Sequence, residues 1–244
     1  MKDLPELEGQ LNPAEREQIR IALTELLPKQ PICLEVGTYR GGGSTLEILK
    51  TLARADGHLW GIEASQKVFV EMKEALRARQ PALCQRFTPV CGFSQAVIPS
   101  LIREGKLPRV DFVFLDGGNN PREQMEEFYL LDPHLPVGSV LMAHDVFLRK
   151  GKWLRRFLPQ LDHYQVAILP ISTEGMLLAR KTSTRPSMGS RIRALLMLGL
   201  CQLSPLELAA HWTPKGFRGW LFGLLPGRWS SVIADGRKIG RAHV

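Results

Sequence analysis

The sequence predicts an α/β domain built on a doubly wound, mostly parallel sheet, and three observations support this prediction. Short apolar runs that suit buried strands alternate with amphipathic stretches that suit helices. Helix-start signals, an Asn or Ser followed by Pro and then by Glu, stand at Asn12, Asn120 and Ser204. Strands that are separated by helices pair in parallel, and such sheets are covered on both faces.

The predicted strands occupy residues 32–36, 58–63, 86–90, 110–115, 139–143, 164–168 and 175–179. The first predicted helix begins at residue 13, and others occupy residues 44–54, 66–79, 121–131 and 151–161. A further helix is predicted to open at residues 92–95 and to run to about residue 103. Because no helical stretch separates the last two strands, we expect a hairpin that places one antiparallel strand at the end of the sheet. This order of elements is typical of a Rossmann-like fold.

The chain divides into parts of different composition. We expect an N-terminal helical segment over residues 1–30, the main domain over residues 31–181, and a basic, apolar appendage over residues 182–237. Residues 181–244 hold ten of the 32 Lys and Arg but two of the 24 Asp and Glu, so this C-terminal stretch accounts for the whole net charge of +8. Residues 238–244 resemble the translation of a sequencing-adapter oligonucleotide, and we expect them to be a sequencing artefact.

Two features favour a cytoplasmic location. No apolar run reaches the roughly 18 residues of a membrane-spanning helix, and the first residues are acidic, so no secretory signal is predicted. The four cysteines, at positions 33, 84, 91 and 201, lack the spacing of a metal site. We expect them to be free thiols in a reducing compartment.

A glycine-rich stretch over residues 35–45 follows the first predicted strand and opens the next helix. A turn of this kind brings backbone N–H groups close to a nucleotide-like ligand. Tyr39 interrupts the dinucleotide pattern G-x-G-x-x-G, and no P-loop pattern occurs, so a nicotinamide cofactor is disfavoured. Ser44 and Thr45 can cap the helix, contact the ligand, or do both.

Acidic residues end three further predicted strands. Glu63 can accept hydrogen bonds from both hydroxyls of a ribose, and a surface glutamate is the alternative. Asp116 and Asp145 follow two later strands, and the carboxyl ends of parallel strands meet at one edge of the sheet. The two carboxylates could hold a divalent cation, or one could act as a base for a substrate hydroxyl. His144 is an alternative base, or a histidine packed against the sheet.

Residues 31–180 resemble the class I S-adenosylmethionine-dependent methyltransferases, and among them the small-molecule O-methyltransferases. Three segments carry the resemblance: Glu35-Val36-Gly37-Thr38 with Gly41, Ser44 and Thr45; Phe114-Leu115-Asp116-Gly117; and Pro136-Val137-Gly138-Ser139 with His144-Asp145. The resemblance implies S-adenosylmethionine as the cofactor and O-methylation of a small molecule as the reaction.

The resemblance also implies roles for individual residues. The glycine-rich loop is expected to lie against the methionine part of the cofactor, through Glu35, Gly37, Thr38, Gly41 and Ser44. The next predicted helix start is expected to meet the adenine, through Phe93, Ser94 and Gln95, although Ser94 could serve as a helix cap alone. Asp116 is assigned to the cofactor site as well as to catalysis.

The sequence departs from the family pattern at two catalytic positions. Asn119 stands where the most similar subfamily has a histidine, and Val146 stands where the metal-dependent catechol-type enzymes have an asparagine ligand. The catalytic candidates are therefore Asp116, Asp145, His144 and Asn119. Asp116 and Asp145 are also candidate ligands of Mg²⁺ or another divalent cation, and Asn119 or Asn120 could complete the site. The alternative function is a catalytically inactive cofactor-binding or scaffold protein on the same fold.

The expected partner is a small-molecule acceptor. Five cations follow Asp145 and could attract an anionic acceptor or simply form a solvated helix face: Arg149, Lys150, Lys152, Arg155 and Arg156. No nucleic-acid-reading motif occurs, so nucleic acid is not expected. The apolar helix predicted over residues 191–203 could pack on its own domain, cover the site, lie in a membrane interface or pair with a second subunit.

Overall fold

A seven-stranded sheet organises residues 7–203, the part of the chain that this computed structural model describes. The strands are β1 (Ile32–Val36), β2 (His58–Glu63), β3 (Phe87–Cys91), β4 (Phe112–Leu115), β5 (Val140–His144), β6 (Tyr164–Leu169) and β7 (Met176–Lys181). Their order in the sheet is β3-β2-β1-β4-β5-β7-β6. Only β7 is antiparallel to its neighbours, β5 and β6. The predicted fold class, including the hairpin of the last two strands, is confirmed.

Helices cover both faces of the sheet. They are α1 (Pro13–Glu25), α2 (Ser44–Ala55), α3 (Gln66–Arg79), α4 (Ser94–Arg103), α5 (Pro121–Leu131), α6 (Lys152–Phe157) and α7 (Met188–Gln202). The predicted starts of α1 and α5 are correct because Asn12 and Asn120 accept hydrogen bonds from N–H groups of the first helical turn.

The core forms two apolar layers, one on each face of the sheet. Phe112 and Phe114 of β4 face the layer under α1, α2 and α3, whereas Val113 and Leu115 face the layer under α4, α5 and α6. Alternate side chains of a strand point to opposite faces, so a strand that is covered on both sides is continuously apolar. The central strands therefore carried the clearest signal in the sequence.

Some boundaries differ from the prediction for local chemical reasons. α6 ends at Phe157, and a 3-10 turn over Leu158–Gln160 follows, because Pro159 lacks the N–H that an α-helix needs. α7 begins at Met188 rather than at residue 191, because Ser187 caps it by accepting from the Ser190 N–H at 3.3 Å. The antiparallel strand β7 lies between β5 and β6, so β6 and not β7 forms the edge of the sheet.

The helix α7 packs on α6 through Ala194 and Cys201. Its other side leaves large apolar side chains exposed: Met188, Ile192, Leu195, Leu196, Leu200 and Leu203. Across residues 7–203, no helix combines the length and the apolar character that crossing a bilayer would require. Membrane contact or homodimerisation through the appendage stays a prediction. The helix start at Ser204 and the expected artefact over residues 238–244 lie outside the described residues.

The strand order places the topological switch point between β1 and β4. From β1 the chain builds outward through β2 and β3, and it then returns to the other side of β1 with β4. Open parallel sheets bind ligands at the carboxyl ends of the strands beside such a point. Glu63, Asp116 and Asp145 stand at or directly after the carboxyl ends of β2, β4 and β5, close to this point.

A buried carboxylate ties β1 to the start of α2. Glu35 is fully buried, and its two carboxylate oxygens accept from Ser44 Oγ at 2.5 Å and from Thr45 Oγ1 at 2.7 Å. Burial raises the pKa of Glu35 to about 8, although these two hydrogen bonds oppose the shift. The acid therefore fixes the glycine-rich loop that connects the two elements.

We predict that Glu35→Gln changes how stability depends on pH. Because the folded-state pKa of Glu35, about 8, lies above its usual value of 4.5, ionisation of this group favours the unfolded chain. The free energy of unfolding of the wild type should fall as the pH rises between these two values. A neutral glutamine removes that contribution. The free energy of unfolding of the variant, relative to that of the wild type, should therefore rise by up to about 1 kcal/mol for each pH unit.

Urea unfolding of both proteins between pH 5 and pH 8 measures this difference. Other groups, such as Glu127, titrate in both proteins, so their contribution cancels in the comparison. A constant difference across the pH range would mean that Glu35 is ionised in the folded protein and would refute the prediction.

Candidate active site

A small open cavity lies at the carboxyl end of β1, beside the switch point. Its walls are residues 37–39, 43 and 44 of the glycine-rich loop, Asp116 from the end of β4, and residues 8–11 of the N-terminal segment. The cavity therefore lies where the fold places a ligand, and the predicted loop forms its floor.

Two residues of the loop have properties that suit a ligand site. Gly37 has a φ of +89°, and a Cβ at this position would lie 2.6 Å from Gly117 N, so no side chain could be accommodated between the two strand ends. Thr38 is 3% exposed, and its Oγ1 has no hydrogen-bond partner among the described residues. Because a buried hydroxyl is normally paired, an unpaired one in the cavity wall indicates a place for a polar ligand atom.

The N-terminal segment covers the cavity, which the sequence analysis missed. Gly42 N donates to the carbonyl oxygen of Glu8 at 2.9 Å, and the Glu8 carboxylate pairs with Arg40 at 2.8 Å. A Cβ on Gly9 would lie 2.3 Å from Gly43 N, so the two backbones are in direct contact. The sequence signal that could have revealed this contact is Gly9, an isolated glycine that precedes the glycine run at residues 41–43.

Glu63 lies beside the same loop. Its carboxylate accepts from Tyr39 N at 3.0 Å and from Ser65 N at 2.9 Å. Burial raises the pKa of Glu63, and these backbone hydrogen bonds oppose the shift. Each carboxylate oxygen has two acceptor positions, so both oxygens can still accept from a ligand. The predicted position is met, while the contact with a ribose stays a prediction.

The start of α4 lies next to Glu63, because Gly92 N donates to the Glu63 carbonyl oxygen at 2.9 Å. Phe93 is 72% exposed, and Gln95 is partly buried at the same helix start. Ser94 is buried, and its Oγ donates to Glu127 Oε1 at 2.6 Å, a contact that joins α4 to α5. Of the three residues predicted to meet an adenine, Phe93 and Gln95 are therefore better placed than Ser94.

The carboxyl ends of β4 and β5 bring three predicted catalytic residues together. His144 Nδ1 lies 3.3 Å from Asp116 Oδ1 and 3.1 Å from Asp145 Oδ1. Its other ring nitrogen, Nε2, lies 2.9 Å from Oε1 of Glu15, a buried residue of α1. Glu15 was predicted only as part of a capping box, and its second role carried no signal in the sequence because 129 positions separate it from His144.

The charges of this cluster determine its protonation. Burial alone would lower the pKa of His144, but its hydrogen bonds to Asp116 and Asp145 dominate and raise that pKa well above the usual range. Burial raises the pKa of Asp145, and its hydrogen bonds with His144 and Lys150 outweigh that effect, so the pKa falls to about 2. His144 is therefore a cation at neutral pH, and this speaks against its predicted role as a base.

Lys150 completes the cluster, in a place that the sequence analysis did not expect. Its Nζ donates to Asp116 Oδ1 at 2.8 Å, to Asp145 Oδ2 at 2.7 Å and to the Asp116 carbonyl oxygen at 2.9 Å. The Lys150 side chain is 12% exposed. It is a buried member of the cluster, not one of the surface cations that it was grouped with.

A divalent cation does not fit these residues. The ligand atoms of Asp116, His144 and Asp145 lie within 4.8 Å of one another, which is close enough for a metal site. However, the Lys150 ammonium already binds one oxygen of each carboxylate, and both nitrogens of His144 face carboxylates. Val146, at the position of the expected asparagine ligand, is fully buried in the core.

The remaining predicted residues have local roles. Asn119 is exposed, its backbone N–H donates to Glu123 at 2.7 Å, and no hydrogen bond links it to the cluster among the described residues. Asn120 caps α5. Gly41 has a φ of +77° and closes the turn by donating to the Thr38 carbonyl oxygen at 3.0 Å. The prediction that Ser44 or Thr45 caps α2 is wrong, because Gly43 is the N-cap and both hydroxyls donate to Glu35. Ser44 does line the cavity, so its contact with a ligand stays a prediction.

Known proteins share part of this sequence and this fold. A family model described as a methyltransferase domain matches residues 34–146, from β1 to the residue after Asp145. No curated protein matches the chain significantly.

Solved structures are similar over most of the described residues. An O-methyltransferase from Bacillus cereus in complex with S-adenosylhomocysteine is 20% identical, with a TM-score of 0.56, and the match covers 74% of this chain and 85% of that one. An S-adenosylhomocysteine-bound methyltransferase from Podospora anserina is 17% identical, with a TM-score of 0.56 and coverage of 71% and 80%. At these identities the likeness shows a shared fold.

The matched domain spans the glycine-rich loop, Glu63, Asp116 and Asp145. Residues 34–146 thus match a methyltransferase domain, and the chain is similar in fold to an O-methyltransferase and to S-adenosylhomocysteine-bound methyltransferases of known structure.

Proposed function

We propose that the protein transfers the methyl group of S-adenosylmethionine to a hydroxyl group of a small molecule. The observation that carries the proposal is the cavity at the end of β1, whose wall holds an unpaired buried hydroxyl from Thr38 and the carboxylate of Asp116. When bound, S-adenosylmethionine supplies an electrophilic methyl group, and the chain's own residues bind, orient and exclude water.

The residues around the cavity fit this cofactor. Glu63 offers a carboxylate for ribose hydroxyls, and the loop at Gly37 and Thr38 offers close backbone approach for the methionine part. Phe93 and Gln95 offer an exposed ring and an amide for the adenine. The loops that carry these groups are joined by the hydrogen bonds from Tyr39 N and Gly92 N to Glu63, so they form one binding surface.

Asp116 is the residue that we assign to the acceptor hydroxyl. Its Oδ1 is held by Lys150 and His144, whereas its Oδ2 has no hydrogen bond from the described residues, and the carboxylate lines the cavity. Burial raises the pKa of Asp116, but the Lys150 and His144 charges outweigh burial and lower it. An ionised carboxylate with one free oxygen can accept a hydrogen bond from the hydroxyl and orient it for in-line attack.

The low basicity of Asp116 constrains the acceptor. A weak base assists proton loss best when the hydroxyl is itself acidic. The proposed acceptor is therefore a small molecule with an acidic hydroxyl, such as a phenol or an enol, rather than a simple alcohol or a nucleic acid.

An anionic acceptor has less support than the sequence suggested. Lys150 is neutralised by the two aspartates, and the Arg155 guanidinium lies over the Phe147 ring at 5.1 Å from its centre. Lys150 and Arg155 are thus already engaged with other groups.

The competing function is a cofactor-binding or scaffold protein that has lost catalysis. Both functions predict cofactor binding, and only the enzyme releases labelled methyl groups onto hydroxylated acceptors. A methyl-transfer assay with pooled phenolic and alcoholic acceptors, with and without Mg²⁺, discriminates between them.

We place the protein in the cytoplasm. The four cysteines are all free thiols, the state that a reducing compartment maintains. Labelling of thiols in intact and lysed cells would test this location, because cytoplasmic thiols react only after permeabilisation.

We predict that Glu63→Ala weakens the binding of S-adenosylhomocysteine by roughly 10- to 100-fold, because hydrogen bonds to a charged group are each worth about 1.5–3 kcal/mol. Isothermal titration calorimetry measures the change. The matched control is Glu74→Ala, which removes an exposed glutamate of α3 and should leave the affinity unchanged. Equal affinities for Glu63→Ala and the wild type would remove Glu63 from the site, and no heat with any of the three proteins would refute the proposed cofactor.

We predict that Asp116→Asn lowers kcat by about 100-fold, because a positioned proton acceptor contributes 10²–10⁴ in rate. The variant keeps the shape of the side chain and loses its charge. Transfer of labelled methyl to a phenolic acceptor measures the effect, with Asp56→Asn as the control, since Asp56 is an exposed residue paired with Arg86 away from the cavity. A kcat within twofold of the wild type would assign the acceptor hydroxyl to another group.

A further inference from the structure

We propose that the Lys150 ammonium is a built-in substitute for a divalent cation, so that the protein binds no metal between Asp116 and Asp145 and works without one. The proposal deepens the proposed function, because it assigns a positioning residue to the same site. Its structural claim, the exclusion of a metal by Lys150, holds whether or not methyl transfer is observed.

The position of the ammonium supports the exclusion of a metal. Nζ lies 2.8 Å from Asp116 Oδ1 and 2.7 Å from Asp145 Oδ2, so it bridges the carboxylates that end two adjacent strands. These are the distances of charge-assisted hydrogen bonds. A divalent cation would need the same two oxygens at about 2.0–2.6 Å, in the space that Nζ occupies.

The hydrogen bonds of the ammonium also support its role in place of a metal. A lysine ammonium has three N–H donors, and Lys150 has three acceptors within 2.9 Å: the two carboxylate oxygens and the Asp116 carbonyl oxygen. The group therefore has a complete set of partners, and it has no donor left over for a substrate. It holds Asp116 in position and does not contact the acceptor itself.

The loop from Asp145 to Gly151 is built to place this side chain. Asp145 has a φ of +59°, and its carbonyl oxygen accepts from Leu148 N at 3.0 Å, so the chain turns back after β5. A Cβ on Gly151 would lie 2.4 Å from Val146 Cα, so the glycine permits the return of the loop onto its own start. Val146 N donates to the Gly175 carbonyl oxygen at 3.3 Å and anchors the loop to the hairpin.

The imidazole of His144 makes the site still less suited to a metal. Its Nδ1 faces Asp116 and Asp145, and its Nε2 faces Glu15. A ring that meets a carboxylate at each nitrogen donates from both, and it offers no lone pair to a metal ion. The three carboxylates are thus bridged by two cations that belong to the chain.

The prediction is that removing the ammonium converts this cluster into a cation site. In Lys150→Ala the two carboxylates lose their shared counter-ion and space opens between them. We expect this variant to bind one Mn²⁺ at least tenfold more tightly than the wild type does. We also expect its melting temperature to be about 10 °C lower than that of the wild type without metal, because a broken buried ion pair leaves unpaired charges. Mn²⁺ should restore much of this loss in the variant and leave the wild type unchanged.

Electron paramagnetic resonance of free Mn²⁺ during titration measures the binding, and differential scanning fluorimetry with and without Mn²⁺ measures the rescue. The charge control is Lys106→Ala, which removes an exposed lysine paired with Glu104 and should behave as the wild type does. Lys150→Gln keeps a hydrogen-bonding side chain of similar size, and it is the second variant if Lys150→Ala does not fold. Adding Asp145→Asn to either variant should abolish the Mn²⁺ binding.

The outcomes separate the two proposals. Stoichiometric Mn²⁺ binding by the wild type that Asp145→Asn abolishes would overturn the inference, and so would a folded Lys150→Ala and a folded Lys150→Gln that both bind no Mn²⁺. If the wild type transfers methyl groups, we expect full activity in EDTA, and activity that falls in EDTA and returns with Mg²⁺ would also overturn it. Absence of S-adenosylhomocysteine binding would refute the proposed function. The Mn²⁺ experiments would still decide whether Lys150 excludes a metal.

Discussion

The structure around the switch point depends on how buried acidic side chains are stabilised at one edge of the sheet. Glu35, Glu63, Asp116 and Asp145 stand at or next to the carboxyl ends of four parallel strands, where a low-dielectric core begins. An acid in such a place needs hydrogen bonds, an opposite charge or a bound proton, and the four acids meet this need in three ways. Glu35 holds a proton at neutral pH and is bound by two hydroxyls, Glu63 accepts from backbone N–H groups, and the two aspartates pair with Lys150 and His144.

These partners come from distant parts of the chain, so neutralising the carboxylates also assembles the site. Glu15 brings α1 to His144, and the loop after β5 brings Lys150 across to the end of β4. The N-terminal segment is held over the glycine-rich loop by backbone contact at Gly9 and by the pair between Glu8 and Arg40. The segments that line the cavity are therefore held in place by contacts between distant parts of the chain.

The arrangement separates the two halves of the proposed reaction. The glycine-rich loop, which lines the cavity, and Glu63, which binds that loop at Tyr39 N, offer close backbone approach and hydrogen-bond acceptors, which suit a nucleoside-containing donor. The side formed by Asp116 offers one free carboxylate oxygen backed by two internal cations. Because those cations are covalently part of the chain, the charge that orients Asp116 does not depend on the concentration of a metal ion.

The sequence by itself determined the class of fold, the order of elements and the place of the glycine-rich loop between β1 and α2. These features follow from local signals: continuous apolar runs for strands buried on both faces, capped helix starts at Asn12 and Asn120, and a glycine-rich turn followed by Glu63. The sequence also named Asp116, His144 and Asp145 as catalytic candidates, but only the tertiary structure decided which charges surround them. Glu15 and Lys150 had plain local explanations, as part of a helix-start signal and as a surface cation, and both lie in the same cluster. Their roles depend on electrostatic contacts between distant elements of the fold. The sequence around a charged residue has no periodic pattern that identifies its partner.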